Sequence, residues 1–505
     1  MTNVRSIFFM LGALGAVALS LWRLSEAGTG LTMVRLSVGG APVTVMRDAD
    51  SSPAPTIVIA HGFSGSQQLM APIATTLARN GYVAVTFDFS GHGRNPTPMP
   101  GGLAKLETST AALLGDIEEI VRFAQRQPWS DGRVALVGHS MATELVVRHA
   151  LHDPQVAAVA ALSFFGEGVT RDLPKNLLII DGAWESQRLI EAGARVVSQA
   201  AGGTAQAGVT YGDIARGTGR RLAIARGVEH IGVLYSRDAM TETLDWMNAV
   251  FGRSKAGYID ARGPWLALLF AGLIALMRPL AQFLPRVSPV PLGAGLPWRR
   301  FAPIAIAPAL LTPLILWKAP TVFLPILLGD YLVVHLAVYG ALIFAGLWLA
   351  QGGLPVFRPP RWKPLLVASV ALAAFYTLVL GLPLDAYVIS FLPTGFRASL
   401  IPVMFIGCAL YFLADEWLTR GPGAARGAYL FSKFCFIASL AIAVGLNPRR
   451  LFFLVIIAIV IVILLTVYGL VGRWVYARTR DPRVGALGAA FGLAWALAVT
   501  FPIVD

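Results

Sequence analysis

Apolar and polar positions along the chain follow two regimes. Between residues 31 and 250, short apolar runs rich in branched side chains alternate with stretches whose apolar positions recur at helical spacing. Residues 56–60, 83–87, 134–137, 157–163, 177–180 and 222–225 read as strands, and 70–79 and 111–125 as helices. Strand, helix and strand in repetition predict an α/β fold, a doubly wound and mostly parallel sheet covered on both faces. From Trp265 onward, long apolar runs alternate with short basic loops, which predicts an all-α polytopic transmembrane domain.

The same pattern sets the domains. Arg5, an apolar run over 7–22 and Arg23 predict an N-terminal transmembrane anchor over 1–23, or a signal segment. The run is long for the apolar part of a signal, and no clean small-x-small cleavage site follows it, which favours the anchor. Residues 31–252 form the α/β domain, 253–263 a linker and 264–505 a transmembrane domain. Its helices, about eight by hydropathy, fall near 264–284, 301–317, 325–350, 364–383, 397–418, 427–446, 450–472 and 484–503.

Composition agrees with this division. A mean hydropathy of +0.65 with only 14% charged residues excludes an ordinary soluble chain. The net charge of +13 would suit a nucleic-acid partner, but much of the excess lies in short loops such as Arg299-Arg300 and Arg449-Arg450. That placement fixes membrane orientation, and no nucleic-acid partner is expected. Loops after the first, third, fifth and seventh C-terminal spans carry Arg278, Arg286, Arg299, Arg300, Arg358, Arg361, Lys363, Arg420, Arg426, Arg473, Arg478, Arg480 and Arg483. The opposite side carries only Lys318, Arg397, Arg449 and Arg450. The first group is therefore cytoplasmic, which puts the α/β domain and Asp505 outside. An anchor entering from Arg5 gives the same answer. Arginine outnumbers lysine, and Ala and Gly abound, as in GC-rich bacterial proteins; the expected location is a bacterial inner membrane. Cys408 and Cys435 both fall in apolar spans, so the polar domain has no disulfide and no cysteine metal site. Asn95 precedes a proline and is no glycosylation acceptor.

The chemistry concentrates at Gly138-His139-Ser140-Met141-Ala142, which follows the apolar run 134–137 and precedes the helical stretch 143–152. Strand, sharp turn and helix are what a nucleophile elbow needs, with small residues flanking the serine. Gly138 meets that need, and Ala142 stands where a second glycine is usual. Upstream, His61-Gly62-Phe63-Ser64-Gly65 directly follows the strand 57–60. Such a loop supplies one backbone N–H to a developing oxyanion, and the residue after the nucleophile supplies the other. The candidate donors are the amides of Phe63 and Met141.

At these motifs the chain resembles the α/β-hydrolase superfamily over about residues 55–250. The stretch Asp88-Phe-Ser-Gly-His-Gly-Arg94 is similar to the superfamily's D-x-x-G-H-G-x-S loop, with a departure at Asn95, near where a serine is often found. In that loop Asp88 and His92 are expected to shape the site. The resemblance implies nucleophile, acid and base in chain order. His230, after the strand 222–225, is the expected general base; His61, His92, His139, His149 and His152 lack that placement, and His139 reads as a neighbour in the elbow. After the strand 177–180 comes Asp181-Gly182-Ala183-Trp184-Glu185. Aligning the superfamily's G-x-x-D pattern on Gly182 makes Glu185 the acid; Asp181, nearer the strand end, is its rival.

Many relatives insert a lid of dozens of residues after the sixth strand, whereas only about a dozen residues separate Ser163 from Leu177. The membrane domain or the bilayer is therefore expected to cover the site, with a lipid or acylated ester as substrate. The implied activity is hydrolysis of carboxylic esters through an acyl-enzyme on Ser140, with no cofactor. An acyltransferase would use the same acyl-enzyme. A transporter or sensor with a hydrolase-like domain is the non-enzymatic alternative. Asp330, His335, Asp385, Asp415, Glu416 and Lys433 fall in or beside apolar spans, where structural pairing, headgroup contact and a relay role all remain open.

Overall fold

The computed structural model describes residues 4–49, 52–102, 105–253 and 257–505. Part of the expected linker, 254–256, and the first three residues of the expected anchor lie outside the described residues. The chain divides into two compact units. One comprises Leu19–Leu268, Leu384–Ser390 and Pro502–Asp505; the other comprises Met1–Ala18, Leu269–Pro383 and Phe391–Phe501.

The first unit is built on a nine-stranded sheet. Its strands are β1 (Leu31–Val38), β2 (Ala41–Asp48), β3 (Ala54–Ala60), β4 (Val83–Phe87), β5 (Ser130–His139), β6 (Val156–Leu162), β7 (Leu177–Gly182), β8 (Thr210–Tyr211) and β9 (Arg220–Ala225). They lie in the order β1-β2-β4-β3-β5-β6-β7-β9-β8. The pairs from β4 through β9 are parallel, while β1–β2, β2–β4 and β8–β9 are antiparallel. Every residue of β3, β4 and β7 is buried, as a strand covered on both faces requires.

Helix α1 (Val4–Glu26) precedes the sheet and runs three residues beyond Arg23, to Glu26. Helices α2 (Ala71–Arg79), α3 (Leu106–Gln125), α4 (Met141–His152), α5 (Gln187–Ala201) and α6 (Arg237–Phe251) make or follow the crossovers. Ile57, Ile59, Ala135 and Val137 bury one face against Ile73, Leu77, Met240 and Leu244 of α2 and α6. Their alternates in the strands point to the other face, where α3 and α4 contact each other. Parallel strands end together, so the loops leaving β3, β5, β6, β7 and β9 collect at one edge. Residues 163–176 join β6 to β7 with no helix or strand of their own.

The second unit is all-helical. It contains most of α7 (Gly263–Leu280) and all of α8 (Trp298–Leu316), α9 (Gly329–Gln351) and α10 (Trp362–Ala374); a π-helical stretch (Phe375–Val379) leads into α11 (Gly381–Tyr387). Then come α12 (Gly395–Thr419), α13 (Ala428–Leu446), the single turn α14 (Pro448–Leu451), α15 (Phe453–Thr479) and α16 (Pro482–Thr500). Among the described residues, nine helices including α1 are long and apolar enough to cross a membrane, as in a multi-pass membrane protein. Helices α9 and α12 meet backbone to backbone: a Cβ at Gly340 would lie 2.5 Å from the Leu410 carbonyl oxygen, and one at Gly407 would lie 2.4 Å from that of Val333. Several charges inside this unit pair with one another, while Asp330 accepts from the Phe323 and Tyr331 N–H groups. Lys433 bonds Asp415, Arg420 meets Glu416 at 3.0 Å, and Arg483 meets Asp481 at 2.6 Å. His335 lies 3.0 Å from the Ser439 hydroxyl. Cys408 and Cys435 are free and buried.

Candidate active site

The site starts from a turn that sequence makes narrow. Strand β5 ends at His139 and α4 begins at Met141, which leaves one residue, Ser140, to reverse the backbone. Ser140 takes φ 54° and ψ −121°, a conformation that costs a side-chain-bearing residue about 1–3 kcal/mol. Neighbours hold it there. Its N–H donates to the Leu162 carbonyl at 2.9 Å, and its own carbonyl accepts from the Thr143 N–H at 2.8 Å and the Thr143 hydroxyl at 2.7 Å. Gly138 is required by closeness, since a Cβ there would lie 2.7 Å from the Ala142 carbonyl oxygen and 2.8 Å from Val146.

Ser140 Oγ lies 2.8 Å from His230 Nε2, and His230 Nδ1 lies 2.7 Å from Glu185 Oε1. The second oxygen of Glu185 accepts from the Gly182 N–H at 2.9 Å. The Glu185 side chain is 1% exposed and that of His230 26% exposed, so the carboxylate is sealed while the imidazole reaches the surface. Asp181 points elsewhere: its Oδ1 accepts from the Phe164 N–H at 3.0 Å. Burial, with Glu185 beside it, pushes the Asp181 carboxyl up to about 7, and the Phe164 N–H only partly offsets this.

The loop after β3 approaches Ser140 closely. A Cβ on Gly62 would lie 3.0 Å from Ser140 Cβ, which places the neighbouring Phe63 at the same edge. His61 Nδ1 sits 2.8 Å from the Gly62 carbonyl and its Nε2 accepts from the Phe89 N–H at 3.2 Å. Since a carbonyl only accepts, the ring is neutral with its proton on Nδ1; burial lowers its pKa, against the pull of Asp88. Asp88 accepts from the N–H groups of Gln67 at 2.8 Å and Arg94 at 2.9 Å. His92 packs edge-on against Phe63 with ring centroids 6.2 Å apart. Met141 begins α4, whose N-terminus carries the positive end of the helix dipole.

Two residues gain a place that their sequence context did not assign. His139 Nε2 lies 2.8 Å from the His230 carbonyl, and burial, helped by His230 nearby, lowers its pKa to about 3. Glu229 accepts from the N–H groups of Ile231 at 2.8 Å and Gly232 at 2.9 Å, closing the turn that carries His230. The only local signal for either was adjacency to Ser140 or His230. Among the described residues, no group of three or more His, Cys, Asp or Glu side chains is placed to hold a metal ion.

The serine aminopeptidase family matches residues 51–175. Carboxymethylenebutenolidase of Pseudomonas putida is 30% identical over 133 residues, which make up 25% of this chain and 55% of the relative. The same enzyme of Pseudomonas knackmussii gives the same figures. The chain thus spans about half the length of the curated relatives it matches. Among solved structures, TT1662 from Thermus thermophilus is similar at 13% identity and a TM-score of 0.35, over 44% of this chain and 99% of that one. Est1E from Butyrivibrio proteoclasticus is similar at 14% identity and a TM-score of 0.32, over 44% and 99%.

Proposed function

Because the chain carries an α/β-hydrolase domain, we propose that it is a membrane-bound serine hydrolase that cleaves carboxylic esters of a lipid or acylated substrate. The observation that carries this reading is the continuous hydrogen-bonded line from Ser140 Oγ through His230 to Glu185, at 2.8 and 2.7 Å. In this reading Ser140 Oγ attacks the ester carbonyl carbon while His230 Nε2 takes its proton. The carbonyl oxygen becomes an oxyanion held by the amides of Phe63 and Met141. Collapse breaks the bond to the alcohol oxygen, which leaves with the proton from His230, and an acyl group remains on Ser140. Water then adds by the same route and releases the acid. Glu185 holds the His230 proton on Nδ1 and stabilises the imidazolium that forms.

Three observations support an apolar substrate. The protein has nine helices of membrane-spanning length among its described residues. No lid element stands between β6 and β7. Phe165 and Trp184 are 45% and 71% exposed on the loops that leave β6 and β7, at the edge that holds the nucleophile. The distribution of loop arginines supports a bacterial inner-membrane location with this domain outside.

A fluorophosphonate probe tests the catalytic reading on membranes that contain the full chain. Wild type should label, and Ser140→Ala should not; an unlabelled wild type ends the proposal. Membranes not exposed to the probe, offered a short soluble ester and a long-chain lipid ester, then report the substrate class. A reporter active only outside the cytoplasm, fused near Gly252, checks orientation, and a silent fusion reverses it.

A further inference from the structure

The loop that carries Phe63 is held by residues from more than three hundred positions away in sequence, within the same compact unit. Leu384–Ser390 and Pro502–Asp505 belong to the unit built on the sheet. The Ser390 N–H donates to Ser66 Oγ at 2.9 Å, and the Ser390 hydroxyl donates to Gln68 Oε1 at 3.0 Å. Ser66 Oγ also donates to Gln68 Oε1, at 2.8 Å. Ser66 and Ser390 are both buried, at 0% and 2% exposure, so these bonds are shielded from competing water. Five residues before Ser390, Asp385 takes Arg94 Nη2 on both carboxylate oxygens, at 2.7 and 2.6 Å.

The two anchor points are joined through the site itself. The Arg94 N–H donates to Asp88, and Asp88 accepts from the Gln67 N–H on its other oxygen. His61 Nε2 takes the Phe89 N–H, tying the start of the Phe63 loop to the loop that carries Arg94. Residues 61–68 and 88–94 thus form one hydrogen-bonded frame, and the segment 384–390 grips it at both ends. The chain's last residues continue the support. The Met99 N–H donates to the Ile503 carbonyl at 2.9 Å, the Ile503 N–H to the Gly91 carbonyl at 2.8 Å, and the Gly101 N–H to Asp505 Oδ1 at 2.8 Å.

We propose that the segment 384–390 is a brace for the oxyanion loop, with Asp385 and Ser390 as positioning residues that set where the Phe63 amide stands relative to Ser140. The brace acts on turnover only through the serine-hydrolase reading above, while its effect on loop order does not depend on that reading. An oxyanion donor works only if it is fixed where charge develops, and a displacement of about 1 Å is enough to weaken it. Loosening the brace therefore lowers the rate of the chemical step and leaves ground-state binding alone.

The test uses the full chain in detergent, with Asp385→Asn, Ser66→Ala and the reversed pair Arg94→Asp/Asp385→Arg. Backbone-amide hydrogen exchange over 61–68 is read beside kcat and KM on p-nitrophenyl butyrate. The expected result is faster exchange in 61–68 for both single substitutions, with kcat about tenfold lower and KM within about twofold. The reversed pair should regain protection and rate relative to Asp385→Asn. Unchanged exchange and unchanged kcat in both single variants overturn the brace. So does a reversed pair that regains neither. If the wild type cleaves no ester, the hydrolase reading fails by itself, and exchange in 61–68 still decides the brace.

Discussion

His139 donates from Nε2 to the main-chain carbonyl of His230 at 2.8 Å, so the residue before Ser140 holds the backbone of His230. A carbonyl can only accept, which puts the proton on His139 Nε2, and the low pKa keeps that ring neutral across the physiological range. The relation fixes the separation of Ser140 and His230 from behind. Replacing His139 by Phe keeps a ring and removes the bond. We expect kcat on a short ester to fall about tenfold with KM little changed, as for loss of an interaction that matters in the transition state alone. Steady-state kinetics check this, and an equal fall in kcat and KM would point to a different role.

Glu185 and Asp181 are neighbours with separate jobs. Glu185 faces His230 Nδ1, and Asp181 faces the Phe164 N–H. Glu185→Gln should lower kcat by about 10³ to 10⁴, because an amide there favours the wrong histidine tautomer. Asp181→Asn retains an acceptor for Phe164 and should keep kcat within about threefold. Fluorophosphonate labelling rates of the two variants give the same ranking independently of substrate choice.

Asp181 carries a pH signature of its own. Its carboxyl is raised to about 7 in the folded chain, against about 3.9 when unfolded, so the folded state holds the proton more tightly. The stabilisation is complete below about pH 4 and is lost as pH rises through 7. Thermal midpoints of wild type should therefore fall, relative to those of Asp181→Asn, between about pH 4 and pH 8. A constant difference across that range would contradict the assignment.

Inside the helical unit, Lys433 is buried against Asp415, with the Tyr411 hydroxyl 3.2 Å from its ammonium. Removing one partner leaves the other charge unpaired. Asp415→Asn should cost about 3–5 kcal/mol, visible as a lower thermal midpoint in detergent, and adding Lys433→Met should recover much of it. A double variant no better than the single one would mean that the pair is not coupled.

The fold was legible where both faces of a strand are covered. Strands β3, β4 and β7 appear in the sequence as mostly apolar runs, interrupted only at Thr56, Thr86 and Asp181, because no face of them meets water. The edge hairpin of β1 and β2 was harder: β1 mixes Thr32, Arg35 and Ser37 with apolar residues, and none of its residues is buried. Its one local mark was Gly39-Gly40, both at positive φ in the turn. Ser140, Glu185 and His230 each stand beside a strand end with a local pattern. Asp385 had no such pattern. Lying next to an apolar run, it left pairing, headgroup contact and a relay role open, and its partner Arg94 could not be read because contacts at that separation leave no periodicity.

Under the proposed function, the backbone of Ser140 puts folding and chemistry at odds at a single position. The left-handed turn that presents the hydroxyl is one a glycine adopts without steric strain, and relief of about 1–3 kcal/mol of strain exceeds glycine's added unfolded-state entropy of roughly 0.5–1 kcal/mol, so Ser140→Gly should melt higher than wild type, whereas Ser140→Ala, which keeps the strain, should not. The serine there is a tension the protein tolerates, and a melting experiment alone, with no substrate present, can detect it.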